Sequence, residues 1–201
     1  MLEGSDKTSL VLETKAGRLD CRRDSAFAFT VDMGMPRFGW NEIPLSRRVD
    51  NSDHIDFSYQ TTNGKILSDP ACVNMGNPHA IFFVDDVEAY ALDVNGPILE
   101  HDPLFPERVN VNVATIENRG HIRLRVWERG TGATLACGTA ACATLVASAR
   151  AGLTGRRARL RLPGGELTID WRDDDHVMMT GPAEFEFETR LTSKMFASAD
   201  A

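Results

Sequence analysis

The sequence predicts a mixed α/β (α+β) fold, in which short antiparallel strands surround a buried helix. Three observations predict it. Short segments of alternating apolar and polar residues, separated by turn signals, recur along most of the chain. One segment, 139–151, has the length of a helix and is small and apolar on nearly every side. Two stretches, 13–38 and 161–185, resemble each other, which indicates a duplicated unit.

The strands are predicted from the alternation, and turn residues separate them. Asn63-Gly64 predicts a tight turn between two of them, and the Pro-containing stretch 35–49 predicts a linker or crossover. In chain order, the predicted strands span residues 9–14, 18–21, 26–33, 55–60, 65–67, 80–84, 109–116, 121–127, 157–162, 166–171, 177–180 and 183–188.

Two helices are predicted. Residues 86–100 carry a weak helical pattern, which we expect Gly96-Pro97 to interrupt. The second helix, 139–151, is followed by Gly152 at the position of a C-terminal cap. Because this helix has so little polar surface, we expect it at the centre of a domain.

The internal similarity predicts the domain organisation. Gly17 matches Gly165 and Met33 matches Met179, although two hairpins can also be alike by chance. A strand–loop–helix element precedes the second hairpin, whereas only about a dozen residues precede the first, so the first copy is expected to have lost its front. The domain prediction is a complete unit over 35–183 and a remnant over 1–34, which residues 184–201 complete.

Composition excludes several classes of function. The chain has 201 residues and a net charge of −7, and its basic residues are scattered, which argues against nucleic-acid and anionic-membrane binding. No secretory signal or membrane-length apolar run is present, so a cytoplasmic location is expected. The four cysteines form no Cys-x-x-Cys pair and the five histidines no His-x-x-x-His pair, so no disulfide scaffold and no metal site are expected.

Cys137 is the candidate reactive residue. It follows a Gly-rich loop and stands at the beginning of the apolar helix, where unpaired backbone N–H groups carry positive partial charge. A thiol at such a position can have a lowered pKa, and the N–H groups of Gly138 and Thr139 can receive a carboxylate. A buried structural cysteine is the alternative for Cys137, and packing is the interpretation favoured for Cys142.

Five separated motifs resemble those of the diaminopimelate epimerases and cover nearly the whole chain. Residues 128–139 read Glu-Arg-Gly-Thr-Gly-Ala-Thr-Leu-Ala-Cys-Gly-Thr, and 75–79 read Met-Gly-Asn-Pro-His. Phe-Pro-Glu-Arg-Val-Asn-Val at 105–111, Leu-Pro-Gly-Gly at 162–165 and Met-Thr-Gly-Pro at 179–182 follow the family order. The resemblance implies two pseudo-symmetric domains, each with a mostly antiparallel sheet curled around a central helix, the first being incomplete here.

The resemblance also implies a reaction. The family interconverts LL- and meso-2,6-diaminopimelate with two cysteines on opposite faces of the α-carbon, and it uses neither a cofactor nor a metal. Cys137 matches the second of these cysteines, and Gly138 and Thr139 suit the reacting carboxylate. The other matched residues are polar: Asn77, Asn110 and Arg129 for the distal amino-acid end, Glu128 for an ammonium group, and His79 with Glu128 for proton balance near the thiols.

The sequence departs from the family pattern mainly at its beginning. The first cysteine motif, Cys-Gly-Asn-Gly, is absent, and Cys21 cannot replace it because it falls in a hairpin strand. Three hypotheses stay open: an epimerase whose chain begins late, a non-catalytic half-enzyme, and a related racemase of the same fold. The expected partner is the small-molecule substrate, with a homodimer as one option. Taken alone, Asn77-Pro78 could be only a turn, and Glu128 and Arg129 only a surface ion pair.

Overall fold

The structure is a computed structural model that describes residues 7–14, 17–184 and 187–190. Within this part of the chain, thirteen strands and two α-helices are present. The strands are Ser9–Thr14 (β1), Gly17–Arg23 (β2), Ala28–Asp32 (β3), Ser58–Gln60 (β4), Ile66–Ser68 (β5), Ala71–Asn74 (β6), Pro78–Phe83 (β7), Asn110–Asn118 (β8), His121–Glu128 (β9), Gly132–Thr134 (β10), Arg157–Leu162 (β11), Gly165–Trp171 (β12) and Val177–Pro182 (β13).

Eleven of the described strands form one sheet. Its order is β1-β2-β3-β13-β12-β11-β9-β8-β7-β6, with β10 paired to β9, while β4 and β5 form a separate hairpin. All pairs are antiparallel except β7 with β8 and β9 with β11. The prediction of a mixed, mostly antiparallel α+β fold is therefore confirmed.

The strand order reflects the duplication seen in the sequence. The β1–β2 hairpin closes at the pair Thr14–Gly17, and the β11–β12 hairpin closes at the pair Leu162–Gly165. The third strands of the two copies, β3 and β13, pair antiparallel with each other, which joins the copies at the middle of the six-strand run. The strand order of the two hairpin units, β1-β2-β3 and β13-β12-β11, is therefore mirrored on the two sides of the β3–β13 pair.

The second helix, Gly138–Arg150 (α2), is the centre of the larger core. Its small side chains let it lie close to β6, β7, β8, β11, β12 and β13, which surround it. Leu145 and Val146 are fully buried. Gly152 adopts φ +70° just after the helix, as a C-terminal glycine cap requires. The predicted central helix is confirmed.

The first helix, Leu92–Glu100 (α1), corrects one prediction. Gly96 and Pro97 lie inside it rather than breaking it, and a short 3-10 helix, Val87–Ala89, precedes it. Gly96 is needed because a Cβ atom there would lie 2.4 Å from Cδ2 of the Trp127 indole, which packs on the helix. Tertiary packing of α1 on β9 thus outweighs the hydrogen bond that Pro97 removes.

Further differences concern short strands. β6 was not predicted because it is buried on every residue and shows no alternation, and β10 lies in the segment expected to be a glycine-rich loop. The predicted strand 183–188 is wrong for its described residues 183, 184, 187 and 188, which have no regular structure. Most of the predicted closing segment 184–201 lies outside the described residues. No helix in the described ranges has the length and apolar character needed to span a bilayer.

Candidate active site

Cys137 is the N-cap residue of α2, as the sequence predicted. Its backbone is extended, with φ −145° and ψ 112°, and its side chain is 7% exposed. The Sγ atom lies 3.5 Å from Oγ1 of Thr139 in the first turn of the helix. The thiol is therefore held at the positive end of a buried helix, next to a hydroxyl group.

The pKa of the Cys137 thiol departs from the prediction. Burial raises it above its ordinary value of 9.0, and this outweighs the lowering by the Thr139 hydroxyl and the Ala140 backbone N–H. The nearby Glu128 carboxylate raises the thiol pKa further, because its negative charge disfavours the thiolate. The expected lowering was wrong because desolvation of the thiolate costs more than the helix terminus returns.

Glu128 is the last residue of β9 and lies beside the thiol. Its Oε1 atom accepts a hydrogen bond of 2.6 Å from the Thr134 hydroxyl on β10. The β9–β10 hairpin turns through Gly130 and Gly132, which adopt φ +76° and +107°. The glycines of the motif thus allow the tight turn that points Glu128 towards Cys137.

The backbone of Arg129 is hydrogen-bonded to the side chain of Asn110. The Arg129 N–H donates to Oδ1 of Asn110 over 2.9 Å, and the amide Nδ2 of Asn110 donates to the Pro78 carbonyl over 2.7 Å. The Arg129 guanidinium donates to the Glu107 carbonyl over 3.0 Å. Asn110, which is 2% exposed, therefore ties the Asn-Pro-His motif at the start of β7 to the loop that carries Arg129.

His79 is fully buried on β7 and lies between two asparagines. Its Nε2 atom lies 3.0 Å from Oδ1 of Asn77, and its Nδ1 atom lies 3.4 Å from Oδ1 of Asn112. Burial lowers the pKa of His79 to about 4, against a raising contribution from Asn112 and with a small further lowering by the Arg129 charge. The ring is therefore neutral at physiological pH.

Two family motifs without a predicted role support the helix end. A Cβ atom at Gly138 would lie 2.7 Å from Sδ of Met179, so the glycine lets β13 approach the first turn of α2. The Gly164 N–H donates to the Leu135 carbonyl over 2.7 Å, two residues before Cys137. The 162–165 and 179–182 motifs thus fix the backbone around the thiol.

Sequence reasoning missed two buried polar residues near the site. Glu100, 3% exposed, accepts hydrogen bonds from Nε1 of Trp127 over 2.7 Å and from the Gly130 N–H over 3.0 Å. Asn112 contacts both His79 and α2. Glu100 ends a weakly patterned helix, and Asn112 alternates with valines like a solvent-facing strand residue, so neither had a distinguishing signal.

The structure brings the predicted site residues to one end of α2 and to the β7, β8 and β9 strand ends beside it. Among the described residues, no cluster of His, Cys, Asp and Glu could hold a metal ion. Two surface grooves, one at Arg123 and Arg161 and one at Trp171 and Asp173, are not lined by Cys137.

Comparison with known proteins places this geometry in a family. A model of the family described as diaminopimelate epimerase matches residues 71–186. The chain is 58% identical over 202 residues to the diaminopimelate epimerase of Methylocella silvestris, covering 100% of this chain and 70% of that protein. It is 53% identical over 201 residues to that of Rhodopseudomonas palustris, covering 99% and 69%.

The chain belongs to the diaminopimelate epimerase family. This confirms the family and the class of enzyme, an amino-acid epimerase, that the motifs predicted, and the general racemase hypothesis is not favoured.

Solved structures show the same fold at low identity. A hydroxyproline epimerase from Agrobacterium vitis matches with a TM-score of 0.60 at 16% identity, over 90% of this chain and 58% of that one. A phenazine biosynthesis protein from Bacillus anthracis matches with a TM-score of 0.56 at 15% identity, over 88% and 66%. The chain thus spans less than two thirds of these structures.

Proposed function

We propose that this protein serves the interconversion of LL- and meso-2,6-diaminopimelate, with Cys137 as the thiol on one face of the α-carbon. The observation that carries the proposal is the position of the Cys137 thiol at the N-terminus of α2, near the Glu128 carboxylate. The names of the relatives give the substrate, and the contacts around the thiol support proton transfer.

The proton transfer begins at the thiol. Cys137 loses its proton and, as a thiolate, takes the proton from the α-carbon, whose bonding electrons remain on the substrate. The carbanion is stabilised when the reacting carboxylate accepts hydrogen bonds from the N–H groups of Gly138 and Thr139. Glu128, whose carboxylate lies near the thiol, is the group that we propose to receive the thiol proton.

The distal end of the substrate is bound by the loop after β9. Arg129 is half-buried and its guanidinium carries a donor fork that suits a carboxylate. Asn110 holds the Arg129 backbone, and Asn77 is half-buried beside His79 with an amide available for the distal amino acid. We propose that these residues select a substrate with a second amino-acid group.

The 201-residue chain contains no Cys-Gly-Asn-Gly motif, so Cys137 is its one thiol that matches a catalytic position. A single thiol returns the proton to the face from which it came. We therefore propose that this chain, assayed by itself, exchanges the α-proton with solvent but inverts the centre at a negligible rate.

The test is incubation of the chain with diaminopimelate in deuterated water, followed by NMR for α-deuteration and by chiral chromatography for epimerisation. We expect slow deuteration without inversion, and Cys137→Ser should lower it by at least about 100-fold. Cys21→Ser is the matched control and should exchange like the parent chain. Because the thiol pKa lies above 9.0, deuteration should rise with pH into the alkaline range.

Robust inversion that survives Cys137→Ser would overturn the two-thiol mechanism. Absence of deuteration in a folded parent chain would favour a non-catalytic half-enzyme instead.

A cytoplasmic location and a homodimer are also proposed. The free thiols suit a reducing compartment, and sedimentation of the purified chain measures its oligomeric state.

A further inference from the structure

Asn112 lies on β8 with its side chain turned towards α2, and it is fully buried. Its amide nitrogen Nδ2 donates to the Ala140 carbonyl over 3.3 Å and to the Thr144 hydroxyl over 3.2 Å. Its carbonyl oxygen Oδ1 faces Nδ1 of His79 over 3.4 Å. Both ends of this amide therefore have partners inside the core.

The orientation of the Asn112 amide is fixed by the helix. A backbone carbonyl such as that of Ala140 can only accept a hydrogen bond, so it requires the NH2 end of the amide. Turning the amide over would bring Oδ1 against the Ala140 oxygen in a site without water access, which leaves two acceptors facing each other. Oδ1 is thus held towards His79.

This orientation determines which nitrogen of His79 carries the proton. Oδ1 of Asn112 needs a donor, and Nδ1–H of the ring supplies it. A neutral imidazole has one N–H, so Nε2 then has a lone pair. Burial, which keeps the ring neutral, supports this assignment.

We propose that Asn112 is a positioning residue that fixes His79 as its Nδ1–H tautomer and presents the Nε2 lone pair to Asn77. Oδ1 of the half-buried Asn77 side chain lies 3.0 Å from Nε2, and because the two ends of an amide have the same shape, this assignment turns the Asn77 amide over so that Nδ2 donates to Nε2. Oδ1 of Asn77 is then free to accept from a substrate ammonium group. The proposal rests on the proposed function only for this last step.

The test is long-range 15N–1H NMR of the full chain labelled at the histidine rings, with His79 assigned by a His79→Gln variant. At any pH well above the His79 pKa of about 4, the parent chain should show Nδ1 protonated and Nε2 bare. Asn112→Leu, which removes the polar partner at similar volume, should shift the signals towards the Nε2–H tautomer. Thr144→Val is the matched control, since the Ala140 carbonyl still holds Asn112, and should keep the parent signature.

Two results would overturn the inference: an Nε2–H or doubly protonated ring in the parent chain, or an unchanged Nδ1–H ring in Asn112→Leu. The protonation state of His79 in the parent chain is measured without the variant, so this result is decisive even if Asn112→Leu fails to fold. In the deuteration assay, Asn112→Leu should lose on the order of ten- to a hundred-fold. If the parent tautomer is correct but no deuteration occurs, the proposed function fails while the tautomer assignment stands.

Discussion

The two copies of the duplicated hairpin unit differ in what covers them. The second copy, β11–β13, packs against α2, and its strand β11 alternates between exposed and buried residues. The first copy, β1–β3, makes no comparable contact with either described helix, and Val11 and Leu12 are 45% and 43% exposed. The same strand pattern therefore gives a core only where a helix lies on the sheet.

The comparison extends to the cysteines. Cys137 is on the covered side and is bounded by a helix terminus, a hydroxyl group and a carboxylate. Cys21 lies on β2 of the first copy, where partial burial and the Asp20 charge raise its thiol pKa, but neither of the α-helices that the structure describes begins beside it. A helix that covers the sheet thus also supplies the chemical environment for a reactive thiol.

Shortening an apolar side chain should give the largest difference in stability between the two copies. Leu145→Ala on α2 removes a fully buried side chain and should lower the free energy of unfolding by about 3 kcal/mol. Val11→Ala on β1 should cost under about 0.5 kcal/mol, because the side chain is already solvated. Urea denaturation of both variants measures the difference, and equal losses would contradict the contrast between the copies.

Loss of the Glu100 charge should loosen the Arg129 loop. In Glu100→Gln, an NH2 group must face a donor, either the Trp127 indole or the Gly130 N–H, so the variant should lose about 1–3 kcal/mol of stability. Hydrogen exchange at the Gly130 amide should accelerate in parallel. Glu107→Gln is the matched control, since only the Glu107 backbone carbonyl contacts Arg129. If protection of the Gly130 amide from hydrogen exchange were unchanged in Glu100→Gln, Glu100 would not be holding the Arg129 loop in place.

The smallest expected effect on stability comes from a contact between the two copies, where β3 and β13 pair. Nδ1 of His176, just before β13, lies 2.8 Å from the Asp32 carboxylate on β3, and this contact raises the pKa of His176 above 6.5. A raised folded-state pKa contributes stability below pH 6.5, which is lost as the pH rises through the folded-state pKa. Because the pair is partly exposed, the contribution should be below about 1 kcal/mol.

A denaturation series over pH measures this contribution, with His176→Gln as the comparison. The parent chain should be more stable than the variant on the acidic side, and the difference should shrink at alkaline pH. A difference independent of pH would mean that the contact does not act through the histidine charge.

Local signals predicted most of the elements but not all of the site. Asn63-Gly64 and the alternation of 157–171 placed hairpins correctly, because turn and strand patterns are local. Pro97 misled because its cost within α1 is offset by the packing of Trp127 on Gly96, a contact between segments far apart in sequence. Asn112 looked like a solvent-facing residue because alternation indicates two faces of a strand but not which face a helix will cover.

The sequence by itself determined the duplicated strand pattern, the central apolar helix, the motifs of the family and the position of Cys137 at the helix start. Tertiary structure decided the direction of the Cys137 pKa, the placement of Glu128 beside the thiol, and the support from Glu100 and Asn112. The physical reason is that periodicity and turn chemistry act between near neighbours. Desolvation and buried hydrogen bonds depend instead on segments that only the folded chain brings together.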